Sequence, residues 1–199
     1  MNLFWLAVAG GGLLILSGSI AAAARPDIPE WERRVFDAVN GLPHWLLPIL
    51  WVPMQLGNLV VGTAAGLAVA AVAGDVSIAV GVLLAAALKL VAERLVRRQL
   101  ASKLRARVRP GSSQTDAVLR GGDVPPVGPS FPSGHVILVA AVGCVVAPIL
   151  APAAAWIPFL LVALVLVGRV YVGAHNPLDA TAGLGAGLLL GGLVAAIVH

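Results

Sequence analysis

The sequence predicts an all-α, polytopic membrane helix bundle of about six transmembrane helices, with one short amphipathic helix lying in the interface. Three observations predict it. Of the 199 residues, 59% are apolar and only 11% charged, against about 25% charged in a soluble domain, and mean hydropathy is +0.97. The apolar residues gather in stretches near the roughly 20 residues that a helix needs to cross the hydrocarbon core. Every Lys and Arg falls in, or beside, the segments that follow the first, third and fifth stretches. The length accommodates a single domain, residues 1–199, with no separate soluble unit.

The elements follow in order. The stretch from about Leu3 to Ala24 reads as an uncleaved first span, because no Lys or Arg precedes it as in a secretory leader, although "SIAAAARP" offers small residues for cleavage. In "RPDIPEWERRVFDAVNGLP", Trp31, Val35, Phe36 and Val39 recur at helical spacing with Glu32, Arg33, Asp37 and Asn40 between them. That pattern is an amphipathic helix in the plane of the interface. His44 to Gly74 is too long for one straight span, and Pro48, Pro53 and Gly57 kink it or divide an interfacial piece from span two. Span three covers about Val76 to Ala92. Spans four, five and six cover about Gly134 to Leu150, Ala153 to Tyr171 and Leu178 to Val198, with Pro152 marking a tight turn. Small residues in "AGLGAGLLLGG", Ala182 to Gly192, allow close helix packing.

Six spans place both termini on one face, and the loops after spans one, three and five on the other. That second face holds all the cations, and the first has Asp75 with no Lys or Arg. The positive-inside rule makes the loaded face cytoplasmic; an extracytoplasmic face is the alternative, because cations that serve a binding site do not report topology. The single Cys144 excludes an internal disulfide framework and reads as a buried hydrophobe; no Cys/His cluster suggests zinc. The pI of 10.2 comes from a membrane-proximal cluster, which gives no support to a nucleic-acid role.

The loaded face also holds the chemistry. "PSGH" places His135 on the first turn of span four, and "GRVYVGAHNPLDATAG" puts Arg169 at the end of span five, His175 in the short loop and Asp179 near the start of span six. Asn176 and Pro177 are placed as cap and first residue of that helix. Singly, each has a plain structural explanation: a favourable acid in a first turn, an arginine reaching for headgroups, a loop histidine, a hydrogen-bonded helix start. Together they are harder to dismiss, because ionisable groups at span ends need partners or a function. Two imidazoles, a carboxylate and several guanidinium groups suit phosphoryl transfer.

"PSGH" (Pro132 to His135) with "RVYVGAHNPLD" (Arg169 to Asp179) resembles the type 2 phosphatidic acid phosphatase family of membrane lipid phosphatases. The family's second signature is P-S-G-H. Its third is S-R, five residues, H, three residues, D; Gly168 stands here for the serine. The resemblance covers about Lys89 to Leu190. The first signature is K, six residues, R-P. Arg109-Pro110 supplies R-P, but Ser102 holds the lysine position and Lys103 comes one residue late, a turn of about 100° if helical. Either Lys103 recovers that reach or Arg94, Arg97 or Arg98 replaces it; the plain alternative for this basic stretch is a surface helix on anionic headgroups.

The resemblance implies that His175 is the nucleophile, Asp179 orients it, and His135 protonates the leaving group and then activates water. Arg169, Arg109, Lys103, Ser133 and the Gly134 amide would hold the phosphate, with no metal or other cofactor. The implied substrate is a lipid phosphate or diphosphate, polyprenyl species first and phosphatidate-type lipids next. The alternative is a non-catalytic lipid-phosphate-binding or transport protein on the same scaffold.

Overall fold

The computed structural model describes residues 2–25, 27–99, 107–122 and 124–199. In chain order the helices are α1 (Leu3–Ala23), α2 (Glu30–Asn40), α3 (Leu47–Met54), α4 (Leu59–Ala73), α5 (Val76–Gln99), the single turn α6 (Pro110–Ser113), α7 (Gly134–Val146), α8 (Ile157–Tyr171) and α9 (Pro177–Val198). The architecture is the expected all-α membrane bundle, and the only pairing of extended chain among the described residues is one isolated bridge, Val108 with Pro129. α1, α5 and α9 are long and apolar enough to cross a membrane. The stretch from His44 is broken: its two arms meet at 77° between Gly57 and Leu59, and the pair counts as a fourth span if taken together. α7 and α8 are shorter apolar helices, and bring the set to the approximate six. The chain is an integral membrane protein.

α7 is the axis, buried at every residue from Val136 to Val146. Glycine decides how close its neighbours come. On α9, Gly183, Gly187 and Gly191 lie four residues apart on one face; a Cβ at Gly187 would sit 2.6 Å from the Ile137 carbonyl and one at Gly191 2.6 Å from Ala141. The opposite face meets α1, where a Cβ on Gly185 would lie 2.5 Å from the Leu16 nitrogen. α9 is therefore clamped between α1 and α7 at backbone distance, the small-residue packing that membrane helices use. α5 brings a seam of Ile78, Val82 and Ala85, each fully buried, against the core.

α2 forms where its spacing foretold, but its inward face mixes apolar and polar residues. Glu32, Phe36 and Asn40, spaced four apart, face the protein and are at most 3% exposed, whereas Trp31 and Val35 face outward at 50% and 45%. Trp31 and Val35 lose nothing by facing an apolar solvent, Glu32 and Asn40 turn inward to polar partners, and Arg33 and Asp37 stay exposed. Asn40 shows the pay-off in bonds: its side chain donates to the Val118 and Tyr171 carbonyls and accepts from Val118 N, all at 2.9 Å.

Candidate active site

The chain between α8 and α9 sets the first imidazole. Gly173, at φ +75°, ends α8, and the backbone N–H of His175 turns back to the Arg169 carbonyl at 3.2 Å. This places Arg169, on the last turn of α8, and His175 on one wall. α7 begins opposite, and Ser133 N donates to the Asp179 carbonyl at 2.9 Å, which pins the start of α7 to the first turn of α9. His135 then projects from that first turn. The break before α4 packs on it: a Cβ at Gly57 would lie 2.5 Å from the Cβ of His135.

These elements enclose a cavity of about 310 Å³ whose lining is mostly polar and includes His135, His175, Arg169, Arg109, Lys89, Glu93, Ser130 and Gly134. That volume lies at the lower end of ligand pockets, about 300–1,000 Å³, enough for a headgroup. Arg109 also donates to the Ala174 carbonyl at 2.8 Å, so the R-P segment is fastened to the loop that carries His175. Burial, and then the charges of Arg169 and Arg109, hold the His175 imidazole well below its ordinary value, so it is neutral at pH 7.

Of the residues expected from the sequence, the structure brings His135, His175, Arg169, Arg109 and Gly134 to this one cavity. Ser133 caps α7 just behind the wall, fully buried, with its Oγ unpartnered. Lys103 lies outside the described residues. Asp179 departs from its expected part. It is fully buried behind the wall, and both its oxygens are taken: Oδ1 accepts from Arg107 Nε at 3.0 Å and Oδ2 from the Asn176 N–H at 2.9 Å. His175 Nδ1 has no hydrogen-bond partner, so Asp179 does not orient this ring by direct contact. The guanidinium across the carboxylate and the capping bond at the head of α9 claim the acid first.

Sequence reasoning missed three groups. Lys89 continues the buried seam of α5, four residues after Ala85, and is 8% exposed with its amine 3.0 Å from Glu93 Oε2. It stands in the cavity beside His135, where a first-signature lysine would be wanted, but 20 positions before Arg109 rather than seven. A cation in phase with an apolar seam was the available signal. Arg94, one alternative considered above, is exposed and does not line the cavity. Glu93 also reaches the start of α7, where a Cβ on Gly134 would overlap its Oε1. The third group is the pair Glu32–Arg107: Arg107 donates from Nη2 and Nη1 to Glu32 Oε1 and Oε2 at 2.6 and 3.1 Å. Burial works against the charge of Arg107, but Glu32 and Asp179 outweigh it and hold the guanidinium above its ordinary value. A buried pair of this kind loses about 3–5 kcal/mol when one partner is removed.

A search of the curated proteins finds no match. Among solved structures, the chain is similar to the crystal structure of the first transmembrane PAP2-type phosphatidylglycerolphosphate phosphatase from Bacillus subtilis, at 23% identity and a TM-score of 0.47, covering 98% of this chain and 92% of that one. The family model for the PAP2 superfamily matches residues 70–199, about two thirds of the chain and all the cavity-lining histidines and cations named above. By that match the chain belongs to the PAP2 superfamily of membrane phosphatases.

Proposed function

We propose that the protein hydrolyses a lipid phosphate or diphosphate through a phosphohistidine on His175. The observation that carries this reading is that both imidazoles and three cations, Arg169, Arg109 and Lys89, line one cavity at the span ends. The neutral His175 ring has a lone pair ready to attack phosphorus. As the N–P bond forms and the P–O bond to the lipid breaks, His135 gives its proton to the departing oxygen. His135 then takes a proton from water, the water oxygen attacks phosphorus, the N–P bond breaks, and inorganic phosphate leaves. The cations and the N–H groups at the head of α7 hold the equatorial oxygens as charge shifts onto them. No step of this scheme calls for a metal.

Polyprenyl phosphate or diphosphate is the favoured substrate, with phosphatidate-type lipids next. An apolar cavity of about 230 Å³ between α4, α7 and α8 offers room for part of a lipid tail. It is lined by Leu56, Gly62, Gly66, Val69, Val142 and Leu161 among others, and Leu56 directly precedes Gly57, which lines the polar cavity. By the cation count the site faces the cytoplasm. The test is phosphate release by purified protein, with EDTA present, from a panel of prenyl and glycerolipid phosphates. Turnover with a prenyl preference is expected; no release from any member of the panel would overturn the reading.

A further inference from the structure

Asp179 is held by a guanidinium that does not itself line the cavity. Arg107 Nε donates to Asp179 Oδ1 at 3.0 Å, while its two terminal nitrogens grip both oxygens of Glu32. Glu32 Oε1 also accepts from Leu178 N at 2.9 Å, so the same carboxylate caps the first turn of α9. Glu32 and Asp179 are fully buried and Arg107 is 3% exposed. The three come from α2, the segment before α6, and α9. None of them lines the cavity.

A buried ion cluster is a costly way to join helices, and apolar side chains of similar size do so at least as well. The molecule itself supplies the comparison: one turn along α2, Phe36 packs into the core with Val136, Val165 and Val170 and needs no charge. The ionic contact occurs where α9 delivers Asp179. From that turn Asp179 reaches both walls of the site, through its carbonyl to Ser133 N at the head of α7 and through Oδ2 to the Asn176 N–H next to His175. We propose that Glu32 and Arg107 are positioning residues for catalysis: they act through Asp179 to set the His175 loop and the start of α7 in register for phosphoryl transfer. The proposal deepens the phosphatase reading and rests on it for its kinetic readout.

A double-mutant cycle tests it. Glu32→Gln and Arg107→Gln should each lower kcat on the order of 10–100-fold, the size seen when outer partners of site residues are removed, with KM changed little. In an Asp179→Asn background neither should cost anything further, because the route to the site is already cut. Arg107→Lys keeps the charge but not the fork, and should fall between wild type and Arg107→Gln; it also serves the cycle if Arg107→Gln does not fold. Additive losses in the double variants, or losses that only track the folded fraction, would reduce the pair to a structural tie and overturn the proposal. A second readout needs no turnover. Orthovanadate, which takes a trigonal-bipyramidal form against an aligned nucleophile, should bind Glu32→Gln about as much more weakly as kcat falls, whereas inorganic phosphate should bind nearly as to wild type. Equal weakening of both ligands contradicts the proposal. Vanadate binding by wild type without hydrolysis of any lipid phosphate would sink the substrate reading alone.

Discussion

At its first turn α7 meets His175, Arg169, Lys89 and, behind them, the Glu32–Arg107–Asp179 cluster; at its last turn it meets valine, alanine and the tip of α9. The contrast extends to the neighbouring chain. At the far end Gly74, at φ +66°, ends α4, Asp75 caps α5 through the N–H groups of Ser77 and Ile78, and Trp156 lies outward with its indole N–H on the Ala153 carbonyl. The Ser77 hydroxyl holds the Asp75 carboxyl below its ordinary value. Everything there is explained by ending helices at a membrane surface. At the cavity end polar groups are buried far beyond that need. One helix thus has a structural end and a chemical end, and the sequence must spend stability only at the second.

Substitutions at the two ends should differ accordingly. The largest effect is expected from His175→Ala, which should bring phosphate release down to background while the protein still purifies as a folded species; wild-type turnover in this variant would end the nucleophile assignment. His135→Ala should lose about 10²–10⁴-fold on lipid phosphates, the usual worth of a general acid, but much less on p-nitrophenyl phosphate during phosphoryl transfer, because that leaving group needs no proton. An equally slowed burst of p-nitrophenol would remove His135 from that role; steady-state turnover falls on both substrates in either case, because His135 also activates water.

Lys89→Ala should lower kcat/KM about 10–100-fold, the equivalent of one charge-assisted contact of roughly 1.5–3 kcal/mol. Unchanged kinetics would return the missing cation to Lys103, Arg97 or Arg98. Arg109→Gln should move the acid limb of kcat/KM toward neutrality. Burial and the two guanidinium groups keep His175 unprotonated below the 6.5 of a free imidazole, so removing one positive neighbour lets it take up a proton at higher pH. A limb that stays fixed would mean that another group sets it. At the structural end, Asp75→Ala should lower the melting temperature slightly and leave kcat and KM unaltered. A loss of turnover there would erase the distinction between the ends.

Much of the fold was legible. The spans near Leu3–Ala24, Val76–Ala92 and Leu178–Val198 could be read from apolar length, and the break near Gly57 from its prolines and glycine. α5 runs on to Gln99 because residues past Ala92 are strong helix formers even outside lipid. α8 begins at Ile157 rather than near Ala153, after a run of turns that the small residues there permit. In the site, His135, Arg169 and His175 were legible because two short motifs fix their spacing along the chain. Lys89 was not, since an intervening stretch separates it from Arg109 and spacing then says nothing. Glu32 stood in the sequence only as one of four polar residues of an interfacial helix. Its partner Arg107 stands 75 positions away, and only folding shows that the two meet.

The central claim is that His135 and His175 act on one phosphorus atom and that His175 carries it. The direct measurement is to quench wild type and His135→Ala during turnover of p-nitrophenyl [³²P]phosphate and locate the label by peptide mapping. The account expects an acid-labile, base-stable phosphoryl group on His175, which accumulates in His135→Ala because water is no longer activated to remove it. Label on any other residue, or a wild-type level of label in a His175→Ala control, would contradict it.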